Sequence, residues 1–85
     1  MQGDAASGMP LSNNELRALK KTLASTERKM QTMEQRIADA TARMHDAEPT
    51  DYVALGTIQG EIDELQAQLE ELELIWLETS ERLGA

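Results

Sequence analysis

The chain has no cysteine and no phenylalanine, and Tyr52 and Trp76 are the two aromatic residues among its 85. Without cysteine there is neither a disulfide framework nor a thiolate metal site, which fits a cytoplasmic protein. No apolar run approaches the length of a membrane span, and no charged start leads into an apolar signal core, so no membrane role is expected. Histidine occurs once; His45 has no second imidazole or thiol with which to share a metal, and is expected to be an exposed residue near a turn. Phosphate-binding loops of the form G-x-x-x-x-G-K-[ST], G-x-G-x-x-G turns and H-E-x-x-H zinc pairs are all missing. This segment is therefore expected to bind no cofactor and no metal and to be no enzyme. The carboxylates at Asp63, Glu64, Glu70, Glu71 and Glu73 are expected on an open surface, where nothing shifts a pKa toward acid–base work.

What is present is helical. Leu55, Ile58, Ile62, Leu65, Leu69, Leu72, Trp76, Thr79 and Leu83 recur at alternating steps of three and four, a heptad seam. A partner stripe of the same period runs through Leu16, Leu19, Leu23, Thr26, Met30, Met33, Ile37, Ala40 and Met44, with the three methionines as core filler. Neither stripe can stay in water, and a short break around Pro49 joins them. The fold class that follows is all-α, an antiparallel two-helix coiled-coil hairpin. A lone hairpin of this size is marginal and is expected to gain support from a homodimer partner or from a larger body to which it belongs.

In chain order, residues 1–10 are small, polar and without period. They are expected to be a disordered leader or an interdomain linker, part of it not native. The hairpin is expected over 11–85. Its first helix is predicted over 12–46, opened by a capping box of Ser12 and Glu15 and a hydrophobic staple of Leu11 and Leu16. The turn is predicted at 47–50, with Pro49 in the first turn of the new helix and Glu48, Thr50 and Asp51 supplying acceptors there. The second helix is predicted over 51–83, with Gly56 and Gly60 loosening its tip. Charge pairing sets an expected register: Ile37 against Ile58, Met30 against Leu65 and Leu19 against Trp76, with Arg36 beside Glu61 and Lys20 beside Glu73. A slide of one heptad would set Glu27 against Glu73 and lengthen the loop.

The net charge of −8 disfavours wholesale attraction to nucleic acid or anionic lipid. It is unevenly placed. Residues 12–46 carry seven Lys or Arg against five acids, and residues 47–85 one Arg against ten acids. Lys29, Arg36 and Arg43 form one column beside the seam, where cross-helix pairing is the ordinary role. Arg17, Lys21 and Arg28, with Lys20 beside them, face away from the acidic helix and are candidates for phosphate contact. No aromatic residues interleave with them, so contact would be backbone-directed and weakly sequence-specific. A second candidate surface is Leu74-Ile75-Trp76-Leu77: a two-helix seam can bury one or two of these four, and the surplus points to a protein interface.

The Leu11-Ser12 opening, the basic heptad helix, the turn Glu48-Pro49-Thr50-Asp51-Tyr52 and the closing Leu74-Ile75-Trp76-Leu77-Glu78 together resemble the C-terminal coiled-coil domain of ABC-F ATPases of the Uup type. The resemblance implies a soluble cytoplasmic parent with two ATP-binding cassettes, using ATP and Mg, of the kind described as ABC transporter ATP-binding proteins. It implies partners among DNA, ribosomal RNA and the chain's own ATPase cassettes. By position, Tyr52 would sit at the tip and Trp76 in the seam near the body. The basic residues of the first helix would meet phosphate. The chain departs from the family in its acidity and in Asn13-Asn14, where basic or aromatic residues are common. The functional expectation is an ATPase's C-terminal arm that contacts nucleic acid through its first helix; the alternative is a protein-interaction or dimerisation coiled coil with no nucleic-acid role.

Overall fold

The computed structural model describes residues 11–84. The expectation for residues 1–10 lies outside them. Two helices make up the fold, α1 over Asn13–Asp46 and α2 over Tyr52–Gly84, packed antiparallel into a rod of 67 × 20 × 13 Å. The all-α hairpin expected from the two stripes is the fold observed.

Each helix begins at a side-chain cap. Ser12 Oγ accepts from the Glu15 N–H at 3.1 Å, and Glu15 Oε1 accepts from the Ser12 N–H at 2.9 Å, so both orphan donors are satisfied reciprocally. At the other end of α1 the Ala47 N–H donates to the Arg43 and Met44 carbonyls, and Ala47 itself is extended. The chain then turns through Pro49 and Thr50, with the Asp51 N–H donating to the Glu48 carbonyl at 2.9 Å. Asp51 caps α2: its Oδ1 accepts from the Ala54 N–H at 3.1 Å and its carbonyl from the Leu55 N–H at 3.0 Å. Pro49 thus stands in the turn itself and not in the first helical turn, because the carboxylate two residues later takes the cap.

The core is the zipped seam. Buried positions are Thr26 and Ala40 on α1 and Ile58, Ile62, Leu65 and Thr79 on α2, every one a member of the two stripes. The remaining stripe positions are half-buried. Ala40 is fully covered, and Ile58 and Ile62 close over it with Ile37, Met44 and Ala47 alongside. Burying an isoleucine of this kind contributes about 1.5–3 kcal/mol. The seam threonines Thr26 and Thr79 strand no polar group: no buried side-chain nitrogen or oxygen among the described residues lacks a partner.

The register differs from the expected one by about a heptad. Glu61 pairs with Arg43, at 2.5 Å, and not with Arg36. Trp76 reaches Glu27, at 3.0 Å, and does not face Leu19. Ile58 packs near the turn in a cluster with Ala40 and Ile62 that Met44 and Ala47 join as well as Ile37. Two features favour the slide. Ala40 is small enough to let the two isoleucines approach its backbone, and Ala47 extends the seam into the connection, so the longer loop is packed.

Candidate nucleic-acid interface

All seven candidate basic residues lie on α1 and all are exposed: Arg17, Lys20, Lys21, Arg28, Lys29, Arg36 and Arg43. The heptad divides them. Lys29, Arg36 and Arg43 flank the seam, and Arg43 is held by Glu61, the one ion pair among the described residues. With both side chains about half exposed, that pair is screened by water and stabilises by at most about 1 kcal/mol. Arg17, Lys21 and Arg28 stand on the outer face, away from α2.

Arg28 and Arg36 border a shallow groove of about 580 Å³ whose floor is Gln31, Thr32 and Gln35. The Thr32 hydroxyl donates to the Arg28 carbonyl and the Gln35 amide to Asp39, so both are occupied within the helix. What remains to meet a ligand is two guanidinium groups and the Gln31 amide. Eight residues separate the two arginines, about 12 Å along the axis at 1.5 Å per residue.

The aromatic residues are elsewhere. Trp76 is half-buried in the seam, and Tyr52 opens α2 beside the turn with 76% of its surface exposed. Base stacking against α1 therefore has no platform. His45 is exposed at the last turn of α1. No group of three or more His, Cys, Asp or Glu side chains among the described residues is placed to hold a metal ion. No described helix is long and apolar enough to cross a membrane.

The four apolar candidates do not form one surface. Trp76 enters the seam, Leu74 and Leu77 are exposed on the outer face of α2, and Ile75, 42% exposed, lies toward the opposite flank. Two features were not anticipated from the residue pattern. One is the groove of about 340 Å³ that Trp76 shares with Glu27, Met30, Gln31 and Glu34. The other is Val53, exposed beside Tyr52 at the tip, for which the step off the seam at position 53 was the available signal.

The family model described as the ABC transporter C-terminal domain matches residues 11–81, from the residue before the first cap to the last turn of α2. The chain belongs to the ABC transporter C-terminal domain family. The match takes in both helices and the Pro49 turn, the segments on which the resemblance to ATPase tails rested. No curated protein and no solved structure matches the chain. In this ABC transporter C-terminal domain the only residue whose pKa departs clearly from its ordinary value is Glu15 among the described residues. The backbone and side-chain hydrogen bonds from Ser12 hold its carboxyl below the usual glutamate range, and Arg82 at the end of α2 adds a smaller pull in the same direction.

Proposed function

We propose that this domain is the C-terminal arm of a soluble, cytoplasmic ABC-F type ATPase, and that it contacts DNA or ribosomal RNA through the outer face of α1. The observation that carries the reading is the separation of charge across the hairpin. Arg17, Lys21 and Arg28 are exposed on the side turned away from the acidic helix, and no described carboxylate forms an ion pair with them. Ion pairing to phosphate releases condensed counterions, so free cations on a rigid helix are suited to it. Lys20 on one flank of α1 and Lys29 and Arg36 on the other border that face, while Arg43 is committed to Glu61.

On this reading the domain itself carries out no chemistry. ATP and Mg belong to the cassettes of the parent chain, which are also the natural packing partners of the open end of the hairpin. The test is a salt-titrated binding assay with duplex DNA and with structured RNA. Affinity should fall steeply with salt, and the slope should flatten by about one for each phosphate contact removed in Arg17→Ala, Lys21→Ala and Arg28→Ala. No binding at low salt would overturn the reading.

The exposure of Leu74, Ile75 and Leu77 favours a second reading, an interaction or dimerisation coiled coil with no nucleic-acid role. Sedimentation separates the two: a concentration-independent monomer would remove dimerisation.

A further inference from the structure

Leu74 and Leu77 stand one helical turn apart on the outer face of α2, with 61% and 48% of their surface exposed. Side chains three and four residues away are their neighbours on the helix. Those neighbours are Glu70, Glu71, Glu73, Glu78 and Glu81, with Ser80. An apolar ridge thus sits inside an acidic ring. Glu73 adjoins both Leu77 and Trp76, and it occupies the flank of α2 that faces the flank of α1 holding Glu27 and Glu34. Those two carboxylates border the groove of about 340 Å³ that Trp76, Met30 and Gln31 complete. One side of the hairpin therefore carries an indole and a thioether between carboxylates, and beside them two exposed leucines.

The charges select the occupant. An anionic membrane or a nucleic acid would be repelled by the ring. A second copy paired through the same patch would set one ring of carboxylates against another, because a two-fold interface is self-complementary. The outer face of α1 in a second copy is cationic but holds no exposed leucine, isoleucine or methionine to cover the ridge. We propose that this side of the hairpin docks a cationic amphipathic protein segment, its apolar side chains on Leu74 and Leu77 and a lysine or arginine in the groove beside Trp76. Carboxylates together with an aromatic ring are the chemistry that receives such a cation. The proposal is independent of nucleic-acid contact by α1.

The test is a backbone-amide NMR titration of the whole chain with a synthetic helical peptide of leucine and lysine. A matched peptide with the leucines replaced by serine serves as control. Shift changes should cluster on residues 70–81 and 27–34, and the serine peptide should bind about tenfold more weakly or worse. Leu74→Ser with Leu77→Ser alters exposed positions only, should leave the helical spectrum unchanged, and should weaken the leucine peptide by a similar factor. Glu73→Lys with Glu81→Lys should do the same by repulsion. Equal affinity for the two peptides, shifts spread evenly along the acidic helix, or an unchanged affinity in both variants would overturn the proposal. So would a concentration-dependent dimer that Leu74→Ser with Leu77→Ser abolishes, since the patch would then belong to a second copy.

Discussion

The Trp76 indole N–H donates to the Glu27 carboxylate across the hairpin at 3.0 Å, linking the later part of α2 to the middle of α1. A hydrogen bond to a charged acceptor at a partly exposed site contributes on the order of 1 kcal/mol. Trp76→Phe keeps most of the ring in the seam and removes the donor, and Glu27→Ala removes the acceptor. A double-mutant cycle read by chemical denaturation should give a coupling of about 1 kcal/mol between them. A coupling near zero would mean that the indole packs without that bond.

The Glu15 carboxylate is stabilised by the folded helix start, because its charged form accepts the Ser12 N–H. A carboxyl whose pKa is depressed on folding contributes stability that is present above its unfolded value, about 4.3 for glutamate. That contribution is lost as pH falls through the folded value, below the usual glutamate range. Amide exchange at Glu15 and Leu16 should accelerate on acidification through that window in the wild type relative to Glu15→Gln, and the two should converge at lower pH. Ser12→Ala, which removes the hydroxyl cap, should cost about 1 kcal/mol. Identical pH profiles for wild type and Glu15→Gln would contradict the capping account.

Gly56 and Gly60 are helical, and a Cβ built on either meets no atom within 4 Å. Neither has a positive φ. Nothing in the described hairpin requires a glycine at these places, so each leaves the tip of α2 looser at no packing gain. Gly56→Ala and Gly60→Ala should each stabilise by about 0.5–1 kcal/mol, seen as a higher denaturation midpoint with an unchanged slope. Destabilisation by either would point to a strained backbone that the geometry does not contain.

The seam was legible in the residue spacing because the two largely apolar stripes share one period and length, and an antiparallel hairpin covers both at once. The surplus at Leu74 and Leu77 was legible for the same reason, since four consecutive apolar residues cannot all face one seam. The register was not. Lys29, Arg36 and Arg43 repeat every seven residues, so Glu61 finds a cation of the same geometry in either of two alignments. Charge pairing cannot choose between them. The choice is made by volume, through the small side chain of Ala40 beneath Ile58 and Ile62, and by Ala47 carrying the seam into the connection. Glu27, which the slide carries toward the flank of Glu73, accepts a hydrogen bond from the Trp76 indole.

The groove that Trp76 shares with Glu27, Met30, Gln31 and Glu34 across the hairpin depends on that alignment. The chain has no cysteine of its own, so engineered thiols report it without interference. Arg43 and Glu61 touch, whereas Arg36 lies seven residues back, about 10 Å along the axis. The most direct measurement compares two variants, Arg43→Cys with Glu61→Cys and Arg36→Cys with Glu61→Cys, each treated with a short thiol-to-thiol cross-linker under dilute conditions. The first should close within the chain in high yield and the second should not. Efficient closure of the second and failure of the first would contradict the account.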